Sequence, residues 1–323
     1  MDGSMNRLAF VAILCIGVVS QGSAAELSPE AINSASLDQS EVDPSRDPNP
    51  LVVRVQVLLD RAHSSPGVID GYVGDNLTKA IQAFEQRNGL KADGKIDEEF
   101  WTVLSRDTAP VMQTYEVSAD DLSERYVDKI PNDYAEMAEM KWLGYTSPQE
   151  MLAERFHLDE SLLERLNPNV DFKTGSKIVV PSTGGDATEK VSRIVVERSA
   201  GEVFGYAGER LIVSYPATVG SKSNPSPSGV HEITTAALDP SYTYNPDKNF
   251  QQADNDKPLE IPPGPNGPVG SVWIDLTEPT YGIHGTAEPD LVDKNVSHGC
   301  VRLTNAKELV KLVDKGVPVE FRD

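Results

Sequence analysis

From Pro50 onward the apolar side chains recur at helical spacing: Leu51, Val55, Leu58 and Leu59 share one face, and Leu77, Ala80, Ile81 and Phe84 repeat it. Asp70-Gly71 and Gly74 punctuate the gap between the two runs, and Asn88-Gly89 closes the second. After an Asp93-Gly94 turn, Ile96, Phe100, Trp101 and Leu104 predict a third, short helix, so residues 49–106 read as a small all-helical module. The stretch before it, 26–48, is rich in Ser, Asp, Asn and Pro with no apolar period and reads as a solvated linker. Residues 107–142 carry scattered Tyr, Asp and Glu and read as a connector.

Residues 143–183 follow the order strand, helix, helix, strand, a short α/β module. Leu143-Gly144-Tyr145 opens it, Met151 to Phe156 and Leu162, Leu163 and Leu166 form the helices, Asn167-Pro168 closes the second, and Ile178-Val179-Val180-Pro181 ends it. His157 on this helical segment, and His63 near the end of the first long helix, read as surface or capping side chains. Thr183-Gly184-Gly185-Asp186 marks a hinge into residues 188–323. There the chain turns to β-branched and aromatic runs: Arg193-Ile194-Val195-Val196, Glu202 to Tyr206, Arg210 to Tyr215 and Gly229 to Ile233. His231, within the last of these, reads as structural. One helix follows, over 306–313. Residues 238–263 have little apolar content, and a loop of that length is a lid, a binding loop or disordered.

Charge and cysteine usage narrow the picture. With 29 basic and 50 acidic side chains, the formal charge of -21 excludes binding nucleic acid or an anionic membrane through a broad basic surface. Residues 1–25 read as a secretory signal: Arg7 supplies the basic end, 8–19 the apolar run, and Gly22-Ser23-Ala24-Ala25 the cleavage site. That run is too short to anchor a chain across a bilayer, so the expectation is export to the periplasm or cell wall without a transmembrane anchor. Cys15 follows Leu14, where a lipoprotein signal wants a small residue, and leaves with the signal. Cys300 then stands alone. In an oxidising compartment thiols usually pair, so an unpaired one is a buried small hydrophobe or a reactive nucleophile.

The neighbourhood of Cys300 favours the nucleophile. Ile283-His284-Gly285-Thr286 precedes Ser297-His298-Gly299-Cys300-Val301-Arg302-Leu303. A thiol attacks carbonyls as thiolate, and an imidazole within reach takes its proton and returns it to a leaving amine. His284 is the candidate base, expected to titrate near neutrality. Backbone N–H groups of His298, Gly299 and Cys300 are the candidate oxyanion donors, with Ser297 and His298 holding the turn by side-chain hydrogen bonds. Arg302, two residues on, would share a strand face with Cys300 and is either a carboxylate or carbonyl binder or part of a structural ion pair. His284, His298 and Cys300 are also zinc-ligand types, but no second close pair accompanies His298 and Cys300, so neither metal nor cofactor is expected.

This window closely resembles the signature of the L,D-transpeptidase (YkuD) family of peptidoglycan enzymes. The resemblance extends through Thr218-Val219-Gly220, Pro225-Ser226-Pro227-Ser228-Gly229 and Pro263-Gly264-Pro265-Asn266-Gly267-Pro268-Val269-Gly270. It implies a mostly antiparallel β-sandwich with a helix on one side, in a multi-domain α+β chain. It also implies Cys300 as nucleophile toward tetrapeptide stems, loss of D-alanine, a thioester, His284 oriented by the Gly285 carbonyl, and inhibition by carbapenems. Residues 238–263 would then be a lid, with Tyr242, Tyr244 and Phe250 along the groove. Residues 49–106 resemble a three-helix peptidoglycan-binding domain, on Asp70-Gly71-Tyr72-Val73-Gly74 and Ala80-Ile81-Gln82-Ala83-Phe84-Glu85. Residues 143–183 resemble a LysM module, with glycan binding or a purely structural role both open because the opening strand is poorly formed. The implied partners are peptidoglycan stems and glycan, with a wall-attached protein as a further acceptor. A carboxypeptidase or wall-protein hydrolase using the same residues, and a non-catalytic wall anchor, stay open.

Overall fold

Short helix-start signals set the N-terminal half. In the computed structural model, which describes residues 27–37, 47–221, 224–248, 250–294 and 297–323, a first short helix, Pro29–Ser34 (α1), lies inside the expected linker. Its Ile32 is fully buried, which corrects the reading of that stretch as wholly solvated. The expected signal, 1–25, lies outside the described residues. Asn49 caps the next helix, Pro50–Arg61 (α2), by accepting from Leu51 and Val52 N–H, and Pro50 occupies the first turn, where its missing N–H costs nothing. Helices Asp75–Arg87 (α3) and Glu98–Leu104 (α4) follow, close to the bounds the apolar spacing predicts. Gln56, buried on α2, accepts from Asp70 and Gly71 N–H and donates to the Asp70 carboxylate, so the aspartate and glycine of the α2–α3 loop are fixed from inside.

The strand–helix–helix–strand unit is present with a different opening strand. Residues 143–145 are not a strand; Met112–Glu116 (β1) pairs antiparallel with Lys177–Pro181 (β2), Met112 opposite Pro181 and Glu116 opposite Lys177. Between them come Tyr134–Ala138 (α5), Pro148–Arg155 (α6) and Glu160–Leu166 (α7). The connector therefore supplies the missing strand, and the segment after β1 is an insertion carrying α5. Buried Asn167 ends α7 and ties it to β2, donating to the Leu163 and Val179 carbonyls and accepting from Val179 N–H. Residues expected as two modules share one apolar core: Val52, Leu59 and Phe100 belong to the same buried cluster as Leu152, Leu163 and Ile178.

The C-terminal strands are Arg193–Glu197 (β3), Glu202–Ala207 (β4), Arg210–Thr218 (β5), Gly229–Leu238 (β6), Tyr242–Tyr244 (β7), Leu259–Ile261 (β8), Val272–Leu276 (β9), Gly282–His284 (β10) and Val301–Leu303 (β11). Helix Ala306–Leu312 (α8) and strand Pro318–Arg322 (β12) complete the chain. The expected sandwich is instead a closed barrel, in the order β10-β11-β5-β4-β3-β12-β6-β9. Two long strands close it. β5 pairs with β4 along most of its length and with β11 at Ala217 and Thr218, while β6 pairs with β12 over its first residues and with β9 beyond a register shift near Ile233. Pairing is antiparallel except for β10–β11 and β3–β12. β7 and β8 form a separate hairpin.

The N-terminal half is docked on this barrel. Ser65 N–H donates to Ser214 O and Ser214 N–H to His63 O, extending β5 with backbone from the helical module. His63 Nδ1 lies 3.0 Å from the Glu308 carboxylate, which Tyr215 OH also reaches at 2.8 Å. Burial opposes ionisation of Glu308, but hydrogen bonds from His63, Ala187 N–H and Tyr215 outweigh it and hold its carboxyl below the ordinary value. His157 Nδ1 lies 3.0 Å from Asp60. Both histidines are structural, at junctions between elements instead of on open surface. His231 lies 3.6 Å from Glu278 and packs edge-on to Phe321.

Candidate active site

β10 and β11 run parallel, with Ile283 opposite Val301 and His284 opposite Arg302. Side chains alternate along each strand, so Ile283, Val301 and Leu303 face the barrel core, fully buried, while His284, Cys300 and Arg302 face the other way. All three line one cleft of about 690 Å³. The cleft walls contain no Asp or Glu among the described residues, although the chain carries 21 more acidic than basic side chains; Arg302 and Lys248 are the charged groups facing in.

His284 is 4% exposed, and its Nδ1 lies 2.6 Å from the Gly285 carbonyl, to which it donates. That bond leaves Nε2 as the basic nitrogen. Trp273 stacks against the ring at 5.7 Å and 19°. Burial, and then the Arg302 cation, push the imidazole down to about 4, only partly offset by the Gly285 carbonyl. The expectation of titration near neutrality is therefore replaced: a ring enclosed beside a guanidinium disfavours a second positive charge. Burial pushes the Cys300 thiol up, against the pull of the Gly282 backbone and Arg302, and Sγ lies 3.7 Å from the Thr280 carbonyl, a contact suited to a protonated thiol. The resting pair is neutral on both sides.

A closed set of short hydrogen bonds shapes the turn before Cys300. Ser297 Oγ donates to Cys300 O at 2.5 Å and accepts from Gly299 N–H at 3.0 Å. Gly299 N–H is thus committed, which narrows the candidate oxyanion donors to His298 and Cys300 N–H. Ser226, read only as part of a motif, closes the outer side: its Oγ donates to Gly299 O at 2.8 Å and accepts from Gly220 N–H at 2.9 Å. Ser297 N–H donates to Val219 O, so Val219, Gly220 and Ser226 lace one turn together. Gly299 has φ +116, and Tyr281 and Pro225 lie against the face where a Cβ would go. His298, expected to brace the turn by a hydrogen bond, lies exposed and flat on Phe250, rings 3.8 Å apart at 12°.

Arg302 lines the cleft without a structural ion pair among the described residues, and its buried Nε has no hydrogen-bond partner there. Trp273, Tyr281 and Tyr134 also line the cleft, and none was expected there. Trp273 sits in a strand-like run two residues from Asp275, to which its Nε1 donates, and gave no sign of facing a site. Among the described residues no cluster of three or more His, Cys, Asp or Glu side chains is placed to hold a metal ion.

Residues 192–321 match the family model of the L,D-transpeptidase catalytic domain, and residues 48–104 that of a peptidoglycan binding domain. The chain is 29% identical over 177 residues to "Putative L,D-transpeptidase YkuD" of Bacillus licheniformis, covering 53% of this chain and 92% of that protein. It is 26% identical over 189 residues to "Probable L,D-transpeptidase YbiS" of Escherichia coli, covering 56% of this chain and 61% of that one. Among solved structures, the catalytic domain of the E. faecium L,D-transpeptidase acylated by ertapenem is similar at 24% identity and a TM-score of 0.32, over 41% of this chain and 98% of that one.

Proposed function

We propose, from the match of residues 192–321 to the L,D-transpeptidase catalytic domain and of residues 48–104 to a peptidoglycan binding domain, an exported, cysteine-dependent L,D-transpeptidase acting on peptidoglycan tetrapeptide stems. The observation that carries this reading is the shared outward face of β10 and β11. It aims a neutral imidazole, a thiol and an unpaired guanidinium into one cleft without a carboxylate.

The steps follow from the residues. A donor stem docks with a carboxylate or carbonyl oxygen on Arg302. Cys300 attacks the carbonyl at the L-centre of the diamino acid while its proton passes to His284 Nε2, because a neutral pair must transfer the proton as the C–S bond forms. The Gly285 carbonyl keeps Nδ1 protonated and steadies the imidazolium that results. The oxyanion is met by His298 and Cys300 N–H, fixed in place by Ser297 and Ser226. His284 returns the proton to the departing D-alanine amine, and an amine of a second stem resolves the thioester. The peptidoglycan-binding helices keep the enzyme at the wall, in the periplasm or cell wall.

Mass analysis of purified peptidoglycan after incubation with the protein tests this. Direct bonds between two diamino acids are the expected products. Shortened monomers alone would mean water is the acceptor, a carboxypeptidase; unchanged stems with retention on sacculi would leave a wall anchor.

The pH profile separates this site from an ordinary histidine pair. The rate of Cys300 acylation is expected to stay level through mildly acidic pH and to fall only near the value of about 4 at which His284 takes up a proton. Below it the ring can no longer accept from the thiol. Replacing Arg302 with Gln removes a cation that opposes this protonation, so the fall moves to higher pH. The donor KM rises ~10- to 100-fold in the same variant, the scale of one charge-assisted hydrogen bond. A wild-type fall centred near 6.5, the ordinary histidine value, would contradict the assignment.

A further inference from the structure

One of the residues lining the cleft, Tyr134, comes from outside residues 192–321. α5, on the segment inserted after β1, packs on the β7–β8 hairpin beside the cleft: Tyr134 N–H donates to Gln252 Oε1 at 3.2 Å, Gln252 Nε2 to Asn132 O at 2.9 Å, and Asn255 Nδ2 to the Asp133 carboxylate at 3.3 Å. Met137 and Leu143 bury a small apolar cluster with Tyr244 and Ile261. Leu143 exchanges backbone hydrogen bonds with the Pro263–Asn266 turn, its N–H donating to Pro263 O and its carbonyl accepting from Asn266 N–H. The arm is thus fastened to the hairpin on both its polar and apolar sides.

At its tip Tyr134 meets Tyr242, Tyr244 and Phe250 edge to face, with centroids 6.0, 5.3 and 6.2 Å away. Phe250 in turn lies on His298, so one aromatic chain runs from α5 to the residue two before the nucleophile. Tyr134, half-buried, lines the same cleft as Cys300 and Arg302. Partial burial pushes its hydroxyl up to about 12 while the Arg302 charge pulls it down, so the phenol lies within the field of the guanidinium.

We propose that Tyr134 is a substrate-contact residue supplied to the donor subsite by the N-terminal half, its ring roofing the stem peptide and its hydroxyl donating to the same stem oxygen that Arg302 holds. This rests on the transpeptidase reading above. A half-buried phenol that opens on the cleft beside a guanidinium gains a charged acceptor when a carboxylate arrives there, and a ring packed against three others is held ready for it.

The test uses the full-length chain as wild type, Tyr134→Phe and Tyr134→Ala, with two readouts: steady-state turnover of a tetrapeptide stem, and the rate at which iodoacetamide alkylates Cys300. In Tyr134→Phe, the donor KM rises roughly tenfold with kcat kept, the loss of one hydrogen bond to a charged group. In Tyr134→Ala, the donor KM rises further while alkylation becomes faster, because the small reagent gains from an opened roof. A raised donor KM at unchanged kcat, together with faster alkylation, is a result that mere loss of structure does not give, because an unfolded fraction that exposed the thiol would lower kcat. An unchanged donor KM in both variants, or stem turnover and alkylation falling together, overturns the proposal. A wild-type protein that alkylates but never turns over a stem overturns the transpeptidase reading itself, and this inference with it.

Discussion

Replacing Cys300 with alanine yields a folded protein that forms no acyl-enzyme. Intact mass spectrometry after incubation with a carbapenem is expected to show one adduct on the wild type and none on the variant. Stem turnover falls on the order of 10⁶-fold, the scale on which removal of a nucleophile from an acyl-transfer site falls. The asymmetry between activity and stability follows from the contacts. Cys300 is half-buried, and its sulfur meets the protein's polar groups at the Thr280 carbonyl, 3.7 Å away, and at the Gly282 backbone, contacts that hold no element together. The turn that carries it is held by Ser297 and Ser226 through backbone atoms, none of which the substitution removes. Equal labelling of wild type and variant would place the reactive group elsewhere and end the thioester mechanism.

The second large loss is expected at a residue with no side chain. In Gly299→Ala, the new methyl would sit 2.5 Å from Tyr281 Cε1 and 3.2 Å from the Pro225 carbonyl, at a φ of +116 that L side chains rarely adopt. Tyr281 cannot easily swing away, because its hydroxyl reaches the same Pro225 carbonyl at 3.4 Å. The turn must therefore change its dihedral angles, at a cost of ~1–3 kcal/mol. That change redirects Cys300 N–H, and loss of one preorganised oxyanion donor slows kcat ~10²- to 10³-fold. Stopped-flow acylation by the donor stem, alongside thermal unfolding, checks this: the rate collapses while the melting temperature drops by only a few degrees. Acylation within tenfold of wild type would show that the turn tolerates a Cβ and that the donors lie elsewhere.

Local signals in this chain were legible where one residue type has one physical use. The spacing of Leu51, Val55, Leu58 and Leu59 gave α2, and Asn88-Gly89 marked the end of α3, where Gly89 has φ +71. The strand-rich character after 193 followed from its β-branched runs. What stayed hidden depended on pairing between distant segments. β1 reads as scattered polar residues because only one edge is satisfied by β2, so its strand character comes from the partner and not from its own alternation. Barrel closure depends on β5 and β6 each serving two neighbours, and a ten-residue strand does not announce where it changes partner. At the site, the Cys300 and His284 window was readable because its residue types are few and chemically pointed. The environment that lowers His284 was not, since it comes from Trp273 and Arg302 brought beside the ring by strand register. Tyr134 lies outside residues 192–321 and had no local mark at all.

The single core shared by the N-terminal helices and the β1–β2 unit, pinned to the barrel through Ser65, His63 and Lys79, has a mechanical corollary. A wall-binding half on a slack leash would let its enzyme sample any stem within reach. Here the leash is replaced by a gauge. On the proposed reading the offset from the anchoring helices to the sulfur is set by this packing, so the choice of stem falls at the moment of attachment, by phase along the glycan and not by search.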